Sequence, residues 1–216
     1  MKKIAITMRA VNASEYVERR DALDQRWIDL LLNCNLWPVL IPNNVEYAKK
    51  FVQKECPDGL LLTGGSDLSE YGGGAPERDD VEKVIFEHAL EQNLPVLGVC
   101  RGMQFIQNYF GIKLHRVQNH VGNRFSLEIN SDSKWKSVLE KFSDVNAYHS
   151  WGAYESLDQL ITSAASSDGV VMAVEHSSLP VFGHMWHPER DEVLGDAQVD
   201  IFREIYGNGW YGYSRQ

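Results

Sequence analysis

Gly98-Val99-Cys100-Arg101-Gly102-Met103-Gln104 reads as a buried strand that turns sharply into a helix. The apolar run Leu94–Val99 has the length and composition of a strand covered on both faces of a parallel sheet. The spacing then predicts a helix over roughly Met103–Phe110, stopped by Gly111. Glycines two residues before and two after Cys100 suit a nucleophile elbow, whose strained turn has no room there for side chains. That turn would lift the Cys100 thiol to a helix N-terminus, where unpaired N–H groups lower its pKa and favour thiolate. The competing reading is a small core cysteine, the commonest state of a free thiol.

Upstream, Lys3–Met8 reads as a first strand ending at Arg9, and Ala10–Arg20 as a polar loop. Leu23, Trp27, Leu30, Leu31 and Cys34 recur at helical spacing, which predicts an amphipathic helix over Arg20–Asn33 with Cys34 in a structural role. A strand Trp37–Pro42, a helix Val45–Lys54 and a strand Gly59–Thr63 complete a βαβαβ alternation. In a doubly wound sheet ligands sit beyond the C-terminal ends of the strands, where Arg9, the Gly64-Gly65 pair and Cys100 all fall. Thr63-Gly64-Gly65-Ser66-Asp67 is thus a candidate anion-binding loop, or an ordinary glycine-rich turn. Tyr71–Asp79 reads as a flexible loop able to cover the site. Val81, Val84, Ile85, His88 and Ala89 mark a further helix on which His88 packs.

Downstream of Gly111 the pattern shortens to Ile112–Leu114, Phe125–Ile129, Val170–Val174 and Val181–Trp186. Period-two alternation predicts strands, read as antiparallel and edge additions to the parallel core, followed by a helix over Val193–Tyr206 and an irregular tail. At the end of the last apolar strand, Trp186-His187-Pro188-Glu189 supplies what Cys100 lacks. A nucleophilic thiol needs a general base, and the base needs a group to hold its tautomer. Residues two apart in an extended segment project to one side, so His187 and Glu189 can act together. A packed histidine beside a surface carboxylate, or a metal site on His184, His187 and Glu189, are the alternatives; strand alternation would put His184 on the opposite face.

A chain of 216 residues, 44% hydrophobic and 24% charged, suits one soluble domain over 1–216. Its net charge of −9 argues against generic nucleic-acid binding. The 3 cysteines, Cys34, Cys56 and Cys100, lack metal-ligand spacing and suit a reducing compartment. The apolar part of Met1–Thr7 is too short for a signal peptide, so a cytoplasmic protein without membrane contact is expected. Against the acidic background, Arg9, Arg19, Arg20, Arg26 and Arg101 could converge on one rim that holds phosphate oxygens. Otherwise Arg19, Arg20 and Arg26 are surface residues paired with Glu15, Glu18, Asp24 and Asp29.

Four segments taken together and in chain order, Thr63–Ser66, Gly98–Gln104, Asn146–Gly152 and Phe182–Glu189, resemble the class I glutamine amidotransferase-like superfamily. Within it the chain resembles the γ-glutamyl hydrolase (C26-like) group of cysteine peptidases, over nearly its whole length. The resemblance implies an α/β fold with a doubly wound, mostly parallel sheet, flanking helices and added antiparallel strands, in a flavodoxin-like arrangement. It implies Cys100 as nucleophile, His187 as base and acid, and Glu189 as orienter. Backbone N–H groups of Gly65 and Arg101 would form the oxyanion hole. Gln104, one helical turn beyond Cys100, and His149 would hold the glutamyl head group. Ser150 and Trp151 depart from the residues relatives often carry there. The implied substrate is a small-molecule γ-glutamyl amide, with no cofactor or metal and a homo-oligomer allowed. Resemblance to the γ-glutamyl-CDP-amidate hydrolases of capsule biosynthesis would give a nucleotide leaving group contacted by Arg9 and Arg20. A γ-glutamyl-γ-aminobutyrate hydrolase, a glutaminase subunit feeding ammonia to a synthetase, and a regulatory module with a vestigial site are the other readings.

Overall fold

The computed structural model describes residues 1–191 and 195–207. The chain opens with β1 (Lys2–Thr7), β2 (Arg9–Asn12), β3 (Arg19–Ala22), α1 (Arg26–Asn33), β4 (Leu36–Ile41), α2 (Val45–Lys54) and β5 (Gly59–Leu62). It continues through α3 (Pro76–Glu91), β6 (Val96–Val99), α4 (Arg101–Tyr109), β7 (His115–Arg116), β8 (Val121–Phe125) and β9 (Glu128–Ile129). The last stretch holds α5 (Lys136–Leu139), β10 (Val145–Tyr148), β11 (Trp151–Gly152), β12 (Leu160–Ala165), β13 (Val171–His176), β14 (Val181–His184) and α6 (Asp196–Tyr206).

An 8-stranded sheet in the order β4-β1-β5-β6-β14-β13-β12-β9 forms the centre, with helices packed against it. Pairing is parallel from β4 to β14 and antiparallel from β14 to β9. Every residue of β5, β6 and β14 is buried, as an interior strand covered on both faces requires. From β1 the chain crosses outward to β4 and then returns to β5 on the other flank of β1. This reversal opens a crevice at the C-terminal ends of β1 and β5, where Arg9 and Gly64-Gly65 lie.

Several expectations change. The segment read as a polar loop and the start of a helix is a β-hairpin: Arg9–Asn12 pairs antiparallel with Arg19–Ala22, and the helix begins only at Arg26. Of Arg19, Arg20 and Arg26, then, only Arg26 lies on the helix. Val181–His184, read as an antiparallel or edge strand, pairs parallel with β6 in the sheet interior. Phe125–Ile129 is split between β8, in a small sheet with β10, and β9, on the edge of the large sheet. Ile112–Leu114 precedes a strand rather than forming one, and the cover loop over Tyr71–Asp79 gives way to α3 at Pro76. The strands β10 and β12 and the short α5 had no counterpart in the reading. The final helix begins at Asp196; the expected start at Val193 and the tail from Asn208 lie outside the described residues.

Candidate active site

Cys100 sits between β6 and α4 with φ 52° and ψ −103°, a conformation a residue with a side chain rarely adopts. Holding it there costs about 1–3 kcal/mol, which the surrounding packing must offset. The flanking glycines are sterically required. A Cβ on Gly102 would fall 2.1 Å from the Leu62 carbonyl oxygen, and one on Gly98 2.5 Å from Ile106 Cδ1. The Cys100 N–H donates to His184 O at 2.7 Å, tying the elbow to β14. The N–H of Arg101, first residue of α4, has no intrahelical acceptor.

The other donor wall is the glycine loop after β5. Buried Arg78 donates to Thr63 O at 2.6 Å, to Gly65 O at 2.7 Å and more loosely to Gly64 O at 3.3 Å. Because C=O and N–H of a trans peptide point in opposite directions, turning the Gly64 carbonyl toward Arg78 turns the Gly65 N–H away from it, and Gly65 lines the pocket. Arg78 is itself held by Glu82 at 2.8 Å, and Glu82 also bonds Arg101, whose guanidinium reaches Asp79 as well. Arg101 therefore does not join a phosphate-binding rim. Its side chain is buried beneath the elbow, because two carboxylates on α3 neutralise it there.

His187 and Glu189 follow β14. His187 Nδ1 and Glu189 Oε1 lie 2.7 Å apart and both side chains are buried, so the carboxylate fixes the ring with Nδ1 protonated. Asn146 clamps the same backbone from both sides, its Oδ1 accepting from His187 N–H at 2.8 Å and its Nδ2 donating to His187 O at 2.9 Å. His187 Nε2 has no hydrogen bond to a described atom. Burial opposes its charge, but Cys100 and Glu189 together push His187 up to about 9. Burial likewise works against a thiolate, yet the His187 imidazolium alongside holds Cys100 below the usual thiol range. Each charge thus favours the other, thiolate on Cys100 and imidazolium on His187. His184 is excluded from this chemistry: its ring stacks on Trp186, 4.2 Å between centroids, and burial drives it down to about 3. Among the described residues no group of His, Cys, Asp and Glu side chains is placed to hold a metal ion.

Cys100 and His187 line a cavity of about 120 Å³ together with Gly65, Gln104, His149 and Ser150. Gln104 Nε2 donates to Trp151 O at 2.9 Å, which leaves its Oε1 as an acceptor. The Trp151 side chain lies outside this cavity, against Tyr71 and Arg116. Arg20 is exposed and tied to Glu18 and Tyr16, Arg26 to Asp24 at 2.6 Å, and Arg19 to Glu77 at 2.6 Å. Surface pairing thus describes these three, with Glu77 a partner the sequence reading lacked. Arg9 is half-buried and packs on the glycine loop, so that a Cβ on Gly65 would fall 2.0 Å from its Nε. It has no hydrogen bond or ion pair among the described residues. Arg190 was not singled out from the sequence, although it follows Glu189 directly. It lines the cavity mouth, its guanidinium 4.5 Å from the Tyr148 ring centroid and only 3.7 Å from Glu189.

An elbow cysteine, a buried His–Glu pair and a glycine loop on a mostly parallel sheet define a cysteine hydrolase of amide bonds with a class I glutamine amidotransferase fold. The chain belongs to the Peptidase C26 family, which it matches over residues 4–189. It is 31% identical to the γ-glutamyl-CDP-amidate hydrolase of Campylobacter jejuni, over 91% of this chain and 94% of that one. It is 29% identical to one subunit of the glutamine-hydrolysing GMP synthase of Thermococcus kodakarensis, covering 77% and 82%. The glutaminase domain of Trypanosoma brucei CTP synthase, solved with bound acivicin, superposes with a TM-score of 0.69 at 16% identity, over 95% of this chain and 94% of that one. No helix among the described residues is long and apolar enough to cross a membrane.

Proposed function

We propose that this protein hydrolyses a γ-glutamyl amide through a γ-glutamyl thioester on Cys100. The observation that carries the reading is the elbow thiol of Cys100 facing a Glu189-held His187, in one cavity with Gln104. The thiolate attacks the γ-carbonyl carbon, forming C–S while the carbonyl oxygen takes up charge between the N–H groups of Gly65 and Arg101. The His187 imidazolium gives its Nε2 proton to the departing nitrogen as C–N breaks. The now neutral ring then takes a proton from water, whose oxygen attacks the thioester; C–S breaks and glutamate leaves. Gln104 Oε1 accepts from the α-ammonium of the glutamyl group, since Trp151 O already occupies its amide nitrogen.

For the leaving group we favour a nucleotide joined through a phosphorus–nitrogen bond. Two features support this: the similarity to the Campylobacter hydrolase, and two guanidinium groups beside the cavity, Arg9 without an ion pair among the described residues and Arg190 with only a 3.7 Å contact to Glu189. Arg20, first expected to make this contact, is a weaker candidate because Glu18 and Tyr16 hold it. The similarity to the Thermococcus GMP synthase chain supports a second reading, a glutaminase whose ammonia is consumed by a partner. Purified protein given γ-glutamyl-CDP-amidate, γ-glutamyl-γ-aminobutyrate and glutamine, and scored for glutamate release, separates them. The proposal expects the nucleotide conjugate to have the highest kcat/KM. Preference for the aminobutyrate conjugate overturns the leaving group, and no release from any γ-glutamyl amide overturns the reading.

A further inference from the structure

Behind the cavity wall runs a line of hydrogen bonds that the catalytic steps do not use. Asp168 Oδ2 lies 3.0 Å from His120 Nε2, His120 Nδ1 lies 3.2 Å from His149 Nε2, and His149 Nδ1 lies 2.9 Å from Trp151 O. The same Trp151 oxygen accepts from Gln104. The directions of these bonds are set by chemistry. A carbonyl oxygen only accepts, so His149 Nδ1 carries a proton. Burial drives His149 down to about 4, so the ring is neutral and its Nε2 is a bare acceptor. His120 Nδ1 must therefore donate. Its other nitrogen faces a carboxylate that burial would raise but that Ser166 and His120 hold below the usual range, so Nε2 donates too. Both nitrogens of His120 therefore act as donors, one to His149 and one to Asp168.

A buried ring that donates at both nitrogens needs partners, and His120 has them. Asp168 is half exposed at the outer end, while Phe125 stacks on the ring face, 4.3 Å between centroids at 13°. We propose that Asp168 and His120 are positioning residues: they lock His149 in its Nδ1–H tautomer and, through the shared Trp151 oxygen, fix the Gln104 amide that reads the glutamyl group. The claim rests on the γ-glutamyl reading for its consequence but not for its geometry. If the chain were cut, His149 could turn its proton to Nε2, and Trp151 O would lose the bond that helps hold it.

The test has two arms. Imidazole nitrogen NMR on the free enzyme is expected to show His120 protonated at both nitrogens and His149 in a single tautomer with Nδ1–H. In Asp168→Ala the His120 Nε2–H signal is lost with its acceptor, and in His120→Phe, which keeps the stack on Phe125, His149 becomes a tautomer mixture. In the kinetic arm both variants raise KM about tenfold, equally for all γ-glutamyl substrates, with kcat changed less than about twofold, the size of one weakened charged hydrogen bond. A His120 without a proton on one of its nitrogens in the wild type, or an unchanged His149 tautomer in His120→Phe, overturns the relay whatever the substrate proves to be. A fall in kcat at constant KM overturns its assignment to head-group binding. Should His120→Phe fail to fold, Asp168→Ala, altered only at a half-exposed side chain, decides both arms.

Discussion

The two walls of the cavity are built differently. The wall carrying Cys100, the Gly65 loop and the start of α4 rests on interior strands and on the buried Arg78–Glu82–Arg101 network, and its chemistry-bearing atoms have little freedom. The facing wall, Tyr148 to Trp151 with Arg190, rests on the two-stranded sheets β10-β8 and β11-β7, and Tyr148 is 43% exposed. Covalent chemistry needs reacting groups held to a fraction of an ångström, whereas recognition of a variable leaving group tolerates an open, adaptable surface. The first wall should accordingly govern kcat, and the second KM and substrate choice.

The sharpest way to break that division is Cys100→Ala. It removes the covalent centre while a methyl group fits the elbow, so kcat should fall at least about 10⁴-fold with the melting temperature little changed. Intact protein with substantial remaining turnover would end the elbow reading. His187→Ala should fall almost as far. Glu189→Gln should lose less, about 10²- to 10⁴-fold, because an amide can still position the ring but cannot balance an imidazolium.

The same pair sets the pH profile. His187 must be protonated to supply the leaving nitrogen, and its raised value of about 9 keeps it so through neutral pH. Activity should therefore persist at neutral pH and fall as pH rises through about 9. Loss on the acid side should come where the depressed Cys100 thiol takes up its proton. In Glu189→Gln the alkaline limb should move to lower pH, since one of the groups that raises His187 is gone. A limb that stays put would show that Glu189 acts by shape alone.

Glu82→Gln tests the foundation of the first wall. It leaves two buried guanidinium groups without their shared anion, and removing one partner of such a buried set costs about 3–5 kcal/mol. The melting temperature should drop sharply, and kcat should fall in whatever folds, because Arg78 would no longer steady the Gly65 loop. Unchanged stability would mean the network is not the support described above.

This contrast also explains how far the residues alone could be read. The first wall was legible because its constraints are local. Four all-buried residues before Cys100, glycines on either side, and a His-x-Glu pair at a strand end leave few alternatives. The hairpin Arg9–Ala22 was missed because its strands are polar, with Arg19, Arg20 and Asp21 exposed, and their pairing is a tertiary fact without hydrophobic alternation. Arg101 was misplaced for a related reason. An arginine next to a nucleophile reads as a ligand for phosphate, and only the fold brings Asp79 and Glu82, some twenty residues away, beneath it. The parallel pairing of β14 with β6 likewise depends on the crossover through β7–β13, which no local period reports.

The smallest expected effects lie on the second wall, and they sharpen the comparison by their selectivity. Arg190 lies over the face of Tyr148 and 3.7 Å from Glu189, beyond hydrogen-bond length, so its guanidinium can turn to a phosphate without breaking a direct hydrogen bond to the carboxylate. Arg190→Ala should raise KM for γ-glutamyl-CDP-amidate about tenfold, leave kcat nearly unchanged, and matter less for γ-glutamyl-γ-aminobutyrate, which offers one carboxylate in place of two phosphates. Arg9→Ala should act in the same direction. Arg20→Ala should change either substrate by less than about twofold, since an exposed pair such as Arg20–Glu18 contributes little. Raising the salt concentration should shrink the difference between wild type and Arg190→Ala, because screening weakens a contact at an open cavity mouth. Equal losses on both substrates in Arg190→Ala would place the residue in support of Tyr148 and His187 instead. A large, nucleotide-selective loss in Arg20→Ala would show that the hairpin carrying it folds over the site when substrate binds, and the second wall would then include β2 and β3.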